Sequence, residues 1–147
     1  MQSYLWGTTM LDKKIIVSTL AVFATLMIYG ALVFGILLAD FYVAHQGDLV
    51  IRPAGEELMG WLAAGQLIMA FAFVWIWKHA ITGNGLKEGL RYGFFMGLFW
   101  APFELINYAF LPIKTNVMII GFTLDIVMLM LAGAVLSLIW KTMADTD

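Results

Sequence analysis

Three side chains in this sequence stand where polar chemistry is costly and therefore informative. Glu104 and Asp125 are carboxylates inside otherwise uncharged apolar runs, and Gln66 is a strongly polar side chain in a third run. A carboxylate at the centre of a bilayer costs about 2.5–3.5 kcal/mol on insertion scales, enough to demand a compensating role. No Lys or Arg lies at the same depth in the sequence to neutralise either acid. Two carboxylates in one desolvated site are suited to proton coupling or cation binding, and intramembrane acids are functional candidates by default. The plainer use of the same residues is interhelical glue, with an acid hydrogen-bonded across helices to Gln66 or to a backbone carbonyl.

Helical geometry brings the three to one layer. Counted from the outer end of each run, Glu104 is about 12 Å deep, Gln66 about 13 Å and Asp125 about 15 Å, at about 1.5 Å per residue. At 100° per residue, Glu104 falls within about 40° of Gly97 and Tyr108 and so faces small residues and not lipid. Asp125 shares a face with Gly121 and Ala132 by the same reasoning. The expected cluster is Gln66, Glu104, Asn107, Tyr108 and Asp125. Pro102, just before Glu104, can kink its helix and free carbonyls there.

The elements that hold these residues follow from charge exclusion. Of 8 basic and 10 acidic residues, only Glu104 and Asp125 fall inside the four long apolar runs at 15–38, 58–77, 92–111 and 117–140. Each run is long enough to cross about 30 Å of hydrocarbon as a helix, the conformation that satisfies a backbone without water. The fold class expected is all-α, a single four-transmembrane-helix bundle. Lys13 and Lys14 precede the first run as in a signal peptide. That run is longer than an h-region and no small-x-small cleavage site follows Gly35, so it is expected to be retained.

One side of the spans carries Lys13, Lys14, Lys78, Lys87, Arg91 and Lys141; the other carries only Arg52 and Lys114. This asymmetry puts both termini and the middle loop in the cytoplasm. Trp75, Trp77, Tyr92 and Trp140 then fall at the inner interface, and Tyr42, Trp61 and Tyr108 toward the outer one. The turns Thr82-Gly83-Asn84-Gly85 and Pro112-Ile113-Lys114 are short, so the last three helices should be antiparallel neighbours. In the longer outer segment, Asp40 lies near the end of the first helix, where a carboxylate calls for a cation, and Arg52 is the nearest.

Gly85, Gly89, Gly93, Gly97 and Ala101 recur every four residues along the third run. Such a row lets another helix backbone approach closely, which in lipid replaces hydrophobic drive. It serves packing within the bundle or an interface to a second copy or another membrane subunit, and both need the same close approach.

Other chemistry is thinly represented. With 63% hydrophobic and 12% charged residues and a net charge of -2, disorder and nucleic-acid binding are excluded. Zero cysteines exclude disulfides, thiolate zinc sites and iron–sulfur clusters. His45 and His79 lie at opposite ends of the spans and cannot share one haem. His45 with Asp40, Asp48, Glu56 and Glu57 matches no metal-ligand spacing. Phe94, Phe95, Phe99, Trp100 and Phe103 read as core and lipid-facing bulk, with a pigment or quinone contact as the sharper use. No nucleophile–base pair or phosphate loop is present, so no catalytic residue, metal or cofactor is expected.

Two segments carry a resemblance: Tyr29-Gly30 through Leu38-Ala39-Asp40-Phe41, and Gly85-Leu86-Lys87-Glu88-Gly89-Leu90-Arg91-Tyr92-Gly93. They resemble small four-helix bacterial inner-membrane protein families to which no activity is attached. The resemblance implies a four-helix fold and a multi-pass position in the bacterial inner membrane, and it transfers no catalytic residue. The four-helix proteins that form disulfides or reduce quinones through cysteines are excluded. The expected role is a non-enzymatic accessory or scaffold subunit that associates with itself or a larger complex in the bilayer through helix three. The rival is a small proton- or cation-coupled transporter or channel working through Glu104 and Asp125.

Overall fold

A computed structural model of the chain describes residues 13–45, 58–83 and 85–144, and among the described residues every regular element is helical. The elements are α1 (Lys13–Leu32), a π-helical turn (Val33–Leu37), α2 (Ala39–His45), α3 (Met59–Ala80), α4 (Leu86–Trp100), α5 (Pro102–Phe110) and α6 (Thr115–Ala144). Three stretches, Lys13–Leu37, Met59–Ala80 and Thr115–Met143, are long and apolar enough to cross a membrane. Large apolar side chains point outward from them and from α4 and α5: Ile28, Trp61, Ile68, Phe99 and Phe110 are all more than half exposed. Outward apolar surface on this scale suits hydrocarbon as the surrounding solvent.

The run expected as a single third span is two helices. α4 begins at Leu86, earlier than expected, and gives way to α5 at Ala101. Pro102 has no N–H to offer the carbonyl one turn back, so the α-helical ladder loses a rung there. Ala101 N–H still donates to Gly97 O at 2.8 Å, and Glu104 N–H donates to Ala101 O at 3.0 Å, one residue short of the α pattern. The first span is interrupted as well. Leu38 N–H reaches back five residues to Val33 O at 2.9 Å, closing the π turn before α2 begins.

α1 packs against α3 and α6, and α4 and α5 both lie along α6. The core centres on Trp77, Phe73, Leu26, Val22 and Leu136, none more than 2% exposed. Tyr92 ties α4 to α3: its hydroxyl donates to Phe73 O at 2.6 Å, and its ring centroid is 4.6 Å from that of Phe73. Trp77 and Tyr92, expected as interfacial anchors, are therefore core residues, 1% and 6% exposed. Trp140 keeps a half-buried position, with Lys14 Nζ 4.7 Å from its ring centroid, so the start of α1 meets the end of α6. Among the described residues at the opposite end, Lys114 Nζ donates to Ala44 O at 3.5 Å and links the α5–α6 turn to α2.

The glycine row is occupied by α6. A Cβ on Gly89 would strike the Gly133 carbonyl and the Ser137 side chain. One on Gly93 would lie 2.6 Å from Met130 Cα, and one on Gly97 would lie 2.8 Å from Ile126 Cα. Backbone thus touches backbone along an antiparallel register in which Gly89 faces Gly133, Gly93 faces Leu129, and Gly97 faces Ile126. Ala101 is fully buried at the α4–α5 junction. Gly85 has another reason to be glycine: nothing lies within 4 Å of a Cβ there, but its φ of +105° is a conformation side chains disfavour.

Candidate functional site: an acid-lined cavity between the helices

Asp125 sits on the face of α6 that carries Gly121 one turn before it and Leu129 one turn after. The residue is 9% exposed and lines a cavity of about 360 Å³ between α1, α3, α6 and the end of α4. Gln66, from α3, lines the same cavity, and its Oε1 is buried with no hydrogen-bond partner among the described residues. The remaining wall is almost wholly apolar, with Phe34, Trp100 and the methionines Met27, Met59, Met69 and Met128.

Glu104 approaches from α5. The tight turn at Ala101 and Pro102 directs it onto α6, where a Cβ on Gly121 would lie 3.1 Å from its Cδ and its Oε2. Gly121 and Asp125 are one helical turn apart, so the two acids occupy adjacent turns of one face. Glycine at 121 is what leaves room for the carboxylate.

Two tyrosines complete the surroundings. The Tyr29 hydroxyl donates to Leu124 O at 3.0 Å, fixing α1 against α6 beside Asp125. Tyr42, on α2, feels both acids: burial, then the negative charges of Glu104 and Asp125, push its phenol up to about 12. Phe34 bridges the pair, with ring centroids 6.3 Å from Tyr29 and 5.6 Å from Tyr42. Phe34 belongs to the π turn, whose extra residue per turn rotates the following chain, and such turns recur at functional sites.

The structure therefore brings Gln66 and Asp125 to one cavity, sets Glu104 on the adjacent turn of α6 at Gly121, and leaves two expected members out. The Tyr108 hydroxyl instead pairs with Thr115 Oγ1 at 2.8 Å, across the α5–α6 turn. Asn107 is exposed, and its backbone carbonyl accepts the N–H of Leu111 at 2.7 Å. Tyr29, Phe34 and Tyr42 were not expected at the site. The sequence signals that could have raised them are Gly35, inside the π turn, and the aromatic spacing around it.

Among the described residues, no group of three or more His, Asp or Glu side chains could hold a metal. The expected pairing of Asp40 with Arg52, and an outer site using Asp48, Glu56 and Glu57, fall outside the described residues. His79 is exposed, its Nδ1 2.8 Å from Trp75 O and its ring tilted against that of Trp75 with centroids 4.4 Å apart. No family model matches this chain, and no curated protein or solved structure matches it.

Proposed function

We propose that this is a four-span, non-enzymatic protein of the bacterial inner membrane that couples movement of a small solute to protons or another cation through Asp125 and Glu104. In this reading α4 and α5 together make the third of the four spans, and the start of α1 and the end of α6 face the cytoplasm. The distribution of Lys13, Lys14, Lys78, Lys87, Arg91 and Lys141 against Arg52 and Lys114 supports that orientation.

The observation that carries the reading is one arrangement. A buried aspartate lines a cavity between the helices, and a second carboxylate lies one helical turn away. Two acids so placed bind and release a proton or cation in competition, which is what coupling requires. An accessory-subunit role would draw on the glycine face of α4. That face is filled by α6 of the same chain, so the acid-lined cavity is the stronger ground.

The test is proton movement in liposomes containing the purified full chain and an internal pH dye. An imposed potential should drive acidification faster than in protein-free liposomes. Glu104→Gln and Asp125→Asn should return the rate to the protein-free level while helix content and elution volume stay unchanged. Variants that conduct as the parent does would remove the acids from the mechanism.

A further inference from the structure

We infer that the cavity between α1, α3 and α6 is a binding site for a small lipophilic organic amine in its ammonium form, held by Asp125 and Gln66. The inference deepens the coupling reading and rests on the same cavity. It begins from what the wall offers. Asp125 is a buried residue whose carboxylate lines the cavity, and Gln66 brings a buried carbonyl oxygen with no donor among the described residues. Both are acceptors, and a buried acceptor left unmade is costly, so the natural occupant is a donor with positive charge.

The rest of the wall sets the ligand's body. Phe34 and Trp100 present aromatic rings, which attract cations and pack apolar groups. Methionines from α1, α3 and α6 supply flexible apolar surface that adapts to more than one shape. A sugar or other polyol would find too few polar partners here, and an anion would meet the carboxylate of Asp125. A hard metal ion needs six or more oxygen ligands and would leave most of the volume empty. At about 30 Å³ per water-sized group, the cavity of about 360 Å³ takes roughly a dozen non-hydrogen atoms. That is the size of a phenylalkylamine.

The probes are 2-phenylethylammonium and 2-phenylethanol, nearly equal in size and differing in charge. Each is titrated calorimetrically into the full chain in nanodiscs. The ammonium should bind at least about tenfold more tightly than the alcohol, the preference expected of a desolvated charge pair. Asp125→Asn should abolish that preference, and Gln66→Leu should weaken ammonium binding by roughly three- to tenfold. Gly30→Leu gives an independent handle. Gly30 lines the cavity and a Cβ there meets nothing within 4 Å, so a leucine can enter the space and should block both probes without unfolding the helices.

Equal affinity for the two probes, no binding of either, or ammonium binding unchanged by Asp125→Asn or Gly30→Leu overturns the inference. Proton movement in liposomes without ammonium binding also overturns it while leaving the coupling reading standing. Ammonium binding without proton movement supports the site and overturns the coupling.

Discussion

Adding a single methyl group at Gly93 tests the central packing claim. An alanine Cβ there would lie 2.6 Å from Met130 Cα and 2.8 Å from the carbonyl carbon of Leu129, besides striking the Leu129 oxygen. Carbon atoms in contact sit about 3.5–4.0 Å apart, so α4 and α6 must separate by about 1 Å at this point. The obstructing atoms are backbone and cannot swing aside as the end of a long side chain would. A gap of that size forfeits roughly a quarter to a half of each van der Waals contact on the lining. Gly89 and Gly97 lie one turn to either side on the same helix pair, so their contacts loosen with it. Overpacking of this kind costs up to about 3 kcal/mol, and alanine recovers about 1 kcal/mol of helix propensity, leaving a net loss of about 2 kcal/mol.

The measurement is equilibrium unfolding in dodecylmaltoside micelles titrated with dodecyl sulfate, followed by far-UV circular dichroism. Gly65→Ala on α3 is the matched control, because a Cβ there meets nothing within 4 Å. It should be neutral or stabilising by up to about 1 kcal/mol. Gly89→Ala and Gly133→Ala, which face one another, should cost less together than the sum of their separate costs, since the first already parts the helices. Stability of Gly93→Ala equal to the parent, or an equal loss in Gly65→Ala, would refute backbone-to-backbone packing along this row.

Two further substitutions probe the link to the site and the link between helices. Tyr92→Phe removes the 2.6 Å hydrogen bond to Phe73 O while keeping the ring between Phe73 and Trp77. It should cost about 1 kcal/mol in the same unfolding assay, and no change would mean that lipid or water satisfies that carbonyl equally well. Gly121→Ala places a Cβ 3.1 Å from the Glu104 carboxyl, which can yield because it ends a flexible side chain. Stability should stay within about 0.5 kcal/mol of the parent while proton movement in liposomes falls, and full movement would show that Glu104 need not lie against α6.

Three long apolar helices were legible because a bilayer imposes one rule on every residue: charge stays out unless it is used. The fixed helical rise made Gln66 and Asp125 meet in one cavity from a count of residues alone. What failed was rotation and reach. Tyr108 shares a helix face with Glu104, yet it stands one turn nearer the α5–α6 turn, where its long side chain finds the hydroxyl of Thr115. Asn107 falls on the flank that faces outward. Trp77 and Tyr92 read as interfacial because aromatic residues favour that depth, but their mutual packing with Phe73 drew them inward. The π turn that presents Phe34 has no hydrophobic periodicity to read, and Gly35 inside it is its one local signal.

The glycine row and the acid pair, read apart in the sequence, are parts of one construction. Gly121, Asp125, Leu129, Gly133 and Ser137 recur every four residues on α6, the same spacing that governs the row on α4. Where both helices present small groups, at Gly89 and Gly133, the backbones touch and neither can move closer. Moving along α6 away from that contact, the row passes Leu129 and reaches Asp125, and the opposing helix ends at Trp100 and the turn at Ala101. The close approach is then replaced by Glu104 lying on Gly121 and by a cavity walled with four methionines. A closely packed half holds the carboxylates in register, and a half lined with adaptable side chains leaves space for an occupant. A substitution in the row should therefore disturb the site at a distance through the position of α6, whereas filling the cavity at Gly30 should silence the site and leave the row intact.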